Sequence, residues 1–378
     1  MAGWWSGLRY LPACAWYVLI SHPRWLNLVL NGVVAVLAII LTTLAVRLRS
    51  NSGFTGASLV TLMGFGDMLS GVVTYYTQLE TSLGAISRLK AFDKTAKTEN
   101  RDDEDIVPPE EWPQRGEISL KGVSASYGIE RPNGAPSLAL KNIHLQVSPV
   151  ENVAICGRTG SGKSSLIALL LKLLEPTADT PDCIYIDNTP LHRVDRATLR
   201  QRIIAIPQDV VFLPDGSTFQ ENLDPFKVST PVEAQAVLEA VGLWDFVGNR
   251  GGLEAGMTAN TLSQGQRQLF SLARAVLRRR IRARGLGFGG GGSEGGILLL
   301  DEVSSSVDRE TEKAMQEVIG VEFREYTVVA VSHRLDMIMD YDRVVVMDKG
   351  EIIEVGNPAR LVEQKGTRFG ELWSLGGK

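Results

Sequence analysis

The run Gly157-Arg-Thr-Gly-Ser-Gly-Lys-Ser164 has the spacing G-x-x-x-x-G-K-[ST]. The apolar stretch Val153–Cys156 precedes it and reads as a short buried strand; Ser164–Leu174 follows and reads as a helix. In that setting Gly157, Gly160 and Gly162 let successive backbone N–H groups converge on phosphate oxygens, and the helix N-terminus adds a favourable dipole. Lys163 is placed to reach β- and γ-phosphates, and Ser164 to ligate Mg²⁺. Thr159, Ser161 and Ser165 complete the phosphate-binding set. A chance glycine loop is the alternative, and the strand–loop–helix context argues against it.

Downstream, Ile297-Leu-Leu-Leu-Asp-Glu302 is an apolar strand ending in two acids. Such a strand carries its last carboxylates to the sheet's C-terminal edge, beside a phosphate loop. Asp301 is then the residue to hold Mg²⁺, and Glu302 the general base that polarises an attacking water. Taken alone the motif is an ordinary strand exit; it gains meaning from the phosphate loop upstream. The net charge of −4 gives no sign of a broad nucleic-acid-binding surface. Cys14, Cys156 and Cys183 form neither a metal spacing nor a disulfide framework, which fits a reducing compartment. Cys156 reads as a small buried apolar residue.

Between these motifs lies Leu262-Ser-Gln-Gly-Gln-Arg-Gln268, which resembles the signature of ATP-binding-cassette (ABC) ATPases. The longer stretch Leu262–Leu277 looks like the second nucleotide-binding domain of the C subfamily, the multidrug-resistance-associated transporters. Ile206-Pro-Gln-Asp209 is similar to the family's Q-loop, Ser304-Ser-Ser-Val-Asp308 to its D-loop, and Val331-Ser-His-Arg-Leu335 to its H-loop. Glu221-Asn-Leu-Asp-Pro-Phe226 and Asp342–Gly350 agree as well. The resemblance implies an α/β P-loop NTPase of ABC type: a parallel core sheet, an antiparallel β subdomain and a helical signature subdomain. It implies ATP and Mg²⁺ as ligands and assigns roles. Gln208 touches Mg²⁺ or the lytic water, and His333 contacts the γ-phosphate and holds Glu302 in line. Ser263, Gly265 and Gln266, with Asp308, serve a nucleotide bound on a second nucleotide-binding domain. Tyr127 is the candidate that stacks on adenine, a strand-edge tyrosine being the alternative. The implied partners are that second domain, the remaining transmembrane helices of a transporter, and membrane lipid; nucleic acid is not among them.

These elements need a frame. Leu26–Val46 is an uncharged run long enough to cross a bilayer, and Gly56–Leu79 is a weaker second one, giving spans over about 26–48 and 56–80. Asp67 in the second should face other helices or a water-filled path. Leu11–Ile20 is too short to span and reads as a separate buried or interfacial helix. The ATPase must be cytosolic, so the second span ends there, near Arg88 and Lys90. Residues 1–92 then form a partial transmembrane domain, 93–115 an acidic, solvated linker, and 116–378 the nucleotide-binding domain, with strands at Ile118–Val123 and Ala139–Val147. Gly285–Gly296 reads as a surface loop beside an arginine-rich helix end, where an anionic contact or plain solvation are the options. Val150 stands where the family has glycine and strains a left-handed turn. Two spans cannot enclose a substrate path, so the chain reads as a fragment, a truncated product or a piece needing partners. The competing reading is a binding or regulatory module in which ATP only drives association. A soluble cassette ATPase is a third, opposed by the hydrophobic N-terminus.

Overall fold

A computed structural model describes residues 13–48, 52–95, 103–130, 136–177, 183–258, 260–287, 295–303 and 307–376. The chain divides into two units, Met1–Glu99 and Asn100–Lys378. The D-loop residues 304–306 and most of the glycine tract after residue 287 lie outside the described residues, as do the linker residues 96–102.

The first unit is a pair of helices, α1 (Ala13–Arg47) and α2 (Ser52–Thr95). Both are long and apolar enough to cross a membrane, over Leu28–Arg47 and Gly53–Thr95. The short segment expected as a helix at Leu11–Ile20 is helical from Ala13 onward and runs without a break into the first span as α1, which has 35 residues; Leu11 and Pro12 lie outside the described residues. With 44 residues α2 also outruns its expected span. At 1.5 Å per residue that is about 66 Å, twice a hydrocarbon core of about 30 Å, and its final turns carry Arg88, Lys90, Asp93 and Lys94. The helices approach closely at Gly66, where a Cβ would lie 3.2 Å from Val34 Cγ2. Asp67 is exposed within this unit, so α1 does not cover it.

The second unit is built on two sheets. Strands β1 (Ile118–Glu130), β2 (Pro136–Val147), β4 (Ile184–Ile186) and β5 (Thr189–Pro190) form an antiparallel sheet in the order β2-β1-β4-β5. Strands β3 (Asn152–Gly157), β6 (Ile204–Ile206), β7 (Gly296–Asp301), β8 (Tyr326–Val331), β9 (Arg343–Asp348) and β10 (Glu351–Gly356) form the second, in the order β10-β9-β3-β8-β7-β6. Only the β9–β10 pair is antiparallel there. The helices are α3 (Lys163–Leu170), α4 (Arg196–Arg202), α5 (Phe219–Leu223), α6 (Pro231–Ala240), α7 (Trp244–Gly248), α8 (Gln264–Gly285), α9 (Arg309–Glu322), α10 (Pro358–Glu363) and α11 (Arg368–Gly376). The continuous apolar runs of β7 and β8 follow from burial on both faces. Ile297, Leu299, Val329 and Val331 enter one core, while Leu298, Leu300, Val328 and Ala330 enter another. That is the two-residue period of a strand dividing one sequence between two layers. The parallel register sets Asp301 opposite Val331, and Ile155 opposite Val331 from the other side, so β3 and β7 finish at one edge.

Several elements depart from the linear reading. Strands β1 and β2 are longer than expected, carried on by register shifts after Lys121 that place Tyr127 inside β1. Helix α3 stops at Leu170 rather than Leu174, because Lys172 turns to φ +50°. Its ammonium is drawn inward to Glu104 Oε1 at 2.8 Å, the His192 carbonyl at 2.9 Å and the Val194 carbonyl at 2.9 Å. Val150 does take the left-handed conformation, φ +60°, and its N–H donates to Thr327 Oγ1 at 2.9 Å. The arginines near the end of α8 are neither free for an anion nor merely solvated. Arg279 and Arg280 bind Glu322, Arg284 binds Glu233, and Arg278 and Arg282 donate to carbonyls at the end of α4.

The expected solvated linker is only partly solvated where it is described: most of its described residues are exposed, but Pro108, Trp112 and Pro113 are buried and the Glu104 side chain is covered. Glu104, 2% exposed at its side chain, bridges Lys172 and Arg196, its Oε1 2.6 Å from Arg196 Nε. Trp112 is buried and its Nε1 donates to the Ile186 carbonyl at 3.1 Å. Arg202 and Arg282 donate to carbonyls of Pro108, Glu111 and Pro113. An acidic, proline-rich composition looks like a connector locally; its partners lie far along the chain. Removing one member of a buried ion cluster strands the others, so Glu104→Ala should destabilise this unit by about 3–5 kcal/mol. The exposed pair between Asp105 and Arg193 should contribute nothing measurable. Urea titration of the full chain, Glu104→Ala and Asp105→Ala checks both, and equal stability for Glu104→Ala would show that the bridge is dispensable.

Candidate functional site

The loop leaving β3 can only be built from glycine at its start. Gly157 has φ +147°, and a Cβ there would sit 2.2 Å from the Met347 carbonyl oxygen on β9. Gly162 caps α3 with φ +103° and no side-chain hydrogen bond, so no side chain competes for the leading N–H groups. Thr159 and Gly160 are exposed at the crest. Ser161 is 2% exposed, and its Oγ has no partner among the described residues. Lys163 is buried, its Nζ folded over the loop to the carbonyls of Gly157 and Arg158, both at 3.1 Å. Burial holds its pKa below the usual lysine range, while Glu302, Cys156 and Asp301 pull it upward.

Across from this loop stand the acids of β7. Ser164 Oγ donates to Asp301 Oδ1 at 3.0 Å. Burial raises the Asp301 pKa and the Glu302 charge adds to it; the Ser164 hydrogen bond and Lys163 oppose this. Glu302 leaves the strand at φ +50°, an unusual conformation for its type, with its N–H on the Val331 carbonyl at 3.1 Å. Both of its carboxylate oxygens are held: Oε1 is 2.6 Å from His333 Nε2, and Oε2 accepts from Gln208 Nε2 at 3.1 Å. In this arrangement the His333 nitrogen faces Glu302. Beside the loop, Tyr127 is 55% exposed and its hydroxyl donates to Ser165 Oγ at 3.2 Å, which leaves ring surface open above the start of α3.

The structure thus brings Ser164 to Asp301, and Gln208 and His333 to Glu302, with Lys163 close enough to feel both acids and the Tyr127–Ser165 pair at the start of α3. The signature residues form a separate one. Ser263 caps α8, accepting from Gln266 N at 3.3 Å, and Gln266 Oε1 accepts from Ser263 N at 3.0 Å. Gly265 faces Asp308, whose Oδ1 lies 3.8 Å from a Cβ built there. Asp308 caps α9, taking Thr311 N at 3.0 Å and the Thr311 hydroxyl at 2.8 Å. Those bonds hold its pKa below the usual carboxylate range. Among the described residues no hydrogen bond joins this group to the phosphate loop.

The donor set fits a small hard cation only together with a phosphate. No group of three or more His, Cys, Asp or Glu residues able to hold a metal occurs among the described residues. Ser164 and Asp301 supply two adjacent oxygens, and Mg²⁺ takes the rest of its shell from phosphates and water. The orphaned Ser161 hydroxyl and the uncapped α3 N-terminus suit the same anion.

Linear reading overlooked Gln268, which donates from α8 to the Gln208 carbonyl at 2.9 Å. The available signal was periodicity. Gln268 shares the buried register of Leu272, Ala275 and Val276, a glutamine in an apolar stripe.

Residues 140–281 match the family model described as ABC transporter. The ABC-type transporter braE of Annulohypoxylon truncatum is 75% identical over an alignment covering 96% of this chain and 26% of that protein. The ABC transporter FGM5 of Gibberella zeae is 50% identical, covering 95% of this chain and 25% of its own length. The chain therefore spans about a quarter of the curated relatives it matches. Among solved structures, a bacterial Atm1-family ABC exporter with ATP bound superimposes with a TM-score of 0.70 at 22% identity. It covers 99% of this chain and 62% of that one, a likeness of fold.

Proposed function

We infer, from a chain that carries an ATP-binding domain of the ABC transporter family, that it binds and hydrolyses MgATP to power export of a substrate across a membrane. On this reading it is the C-terminal part of a C-subfamily transporter, integral to the membrane, with the nucleotide-binding unit in the cytosol. The observation that carries it is the Glu302 carboxylate, contacted at its two oxygens by His333 and Gln208, next in the chain to Asp301, which Ser164 of the phosphate loop hydrogen-bonds.

The residues divide the work. The N–H groups of the loop from Gly157 to Ser164 and the Lys163 ammonium bind the β- and γ-phosphates. Tyr127 stacks on the adenine. Ser164, Asp301 and Gln208 hold Mg²⁺, which neutralises charge developing on the phosphate oxygens when bound. Glu302 takes a proton from the water that attacks the γ-phosphorus, and the Gln208 hydrogen bond and the neighbouring His333 ring hold its carboxylate in place. Ser263, Gly265, Gln266 and Asp308 serve the nucleotide of a second nucleotide-binding domain, which fits their separation from this chain's own phosphate loop. Membrane lipid and further transmembrane helices complete the partners.

The test uses the full chain in lipid nanodiscs. Phosphate release should require both ATP and Mg²⁺ and vanish with a chelator, and ATP should promote pairing of nucleotide-binding units. Tight nucleotide binding and association with no phosphate release in any Mg²⁺ concentration would replace the ATPase with a binding module.

A further inference from the structure

Gln268 is a buried polar side chain that the chemistry above does not use. It lies in the second turn of α8, 4% exposed. Its Nε2 donates to the Gln208 carbonyl at 2.9 Å, and its Oε1 finds no partner among the described residues. A buried amide with one orphaned oxygen is less stable than an apolar side chain of the same length, so what the amide contributes is the bond to Gln208.

That bond has a companion. Further along α8, Arg274 Nη1 donates to the Val211 carbonyl at 2.6 Å and its Nε to the Asn222 carbonyl at 2.6 Å. Asn222 Oδ1 in turn accepts from Leu213 N at 2.8 Å. The two side chains therefore fasten the Gln208 and Val211 carbonyls to points six residues apart on the helix, on either side of a bend at residues 208–209. The opposite side of Gln208 faces the acids, its Nε2 donating to Glu302 Oε2 at 3.1 Å. Ser263 caps the same helix about one turn before Gln268.

We propose that Gln268 is a positioning residue: it fastens the Gln208 carbonyl to the signature-bearing helix and thereby aims the Gln208 amide at Glu302. A ligand that seats the N-terminus of α8 is then read at Glu302 through two hydrogen bonds. The proposal rests on the ATPase reading for its kinetic consequence and on geometry alone for its grip on the loop.

The experiment is a double-mutant cycle in the full chain in nanodiscs, with Gln268→Met, Gln208→Ala and the pair. Gln268→Met keeps length and removes the donor. It should lower kcat about tenfold, the weight of one hydrogen bond, with KM for MgATP within twofold. Added to Gln208→Ala it should lower kcat no further, because both act through one side chain. Without nucleotide, hydrogen exchange should quicken at residues 208–213 and stay unchanged in β7 and β8. Additive losses, or unchanged exchange at 208–213, overturn the proposal. If Gln268→Met exchanges faster everywhere, Gln268→Leu, which is apolar and likewise has no donor, replaces it. A wild type that releases no phosphate sinks the ATPase reading instead, and the exchange measurement still decides whether Gln268 holds the loop.

Discussion

Lys163→Ala should weaken MgATP binding at least a hundredfold. The lysine ammonium is folded over the phosphate loop, and burial disfavours its charge, so an anion placed there would be favoured. Charge-assisted hydrogen bonds contribute about 1.5–3 kcal/mol each, and two phosphate oxygens bring the sum to about 3–6 kcal/mol. A hundredfold change needs about 2.7 kcal/mol, which the lower end supplies. The substitution also frees the Gly157 and Arg158 carbonyls, so the variant must be shown to melt like the parent before its affinity is read. Titration of a fluorescent ATP analogue into the full chain measures it. Affinity within a few-fold of the parent would remove Lys163 from the phosphate site and, with it, the reading of the loop.

Glu302→Gln should show the reverse pattern: turnover reduced by a factor of about 10²–10⁴, the range for losing a general base, with MgATP affinity within a few-fold. An amide keeps the size of the side chain and its place between His333 and Gln208, but it cannot accept the proton from water. Among the described residues no hydrogen bond or ion pair joins the phosphate loop to the Glu302 side chain, so binding survives. Single-turnover and steady-state phosphate release separate the two quantities. Turnover near the parental rate would move the base elsewhere, and equal loss of affinity would mean that Glu302 supports the nucleotide rather than the reaction.

The phosphate loop was legible in the sequence because its requirement is local. Gly157 and Gly162 are needed at their φ angles and close approaches, and the strand before them and helix after them follow from short-range apolar patterns. Asp301 and Glu302 were legible for the same reason, as the end of a strand with no surface of its own. The two apolar helices were visible from run length, although their true extents were not, since nothing in an uninterrupted helical sequence marks where a bilayer ends.

What only the tertiary structure decided are the contacts between polar groups far apart in the chain. The order β3-β8-β7-β6 carries Ser164 to Asp301, and Gln208 and His333 to the two oxygens of Glu302. Glu104 reads as one more acid in a charged run until Lys172 and Arg196 close on it. Gln268 reads as a letter of a motif until its amide meets the Gln208 carbonyl. Backbone conformation and apolar periodicity are set by neighbours a few positions away and are therefore written along the chain. The partner of a buried charge or amide is set by how layers pack, and no local pattern records it.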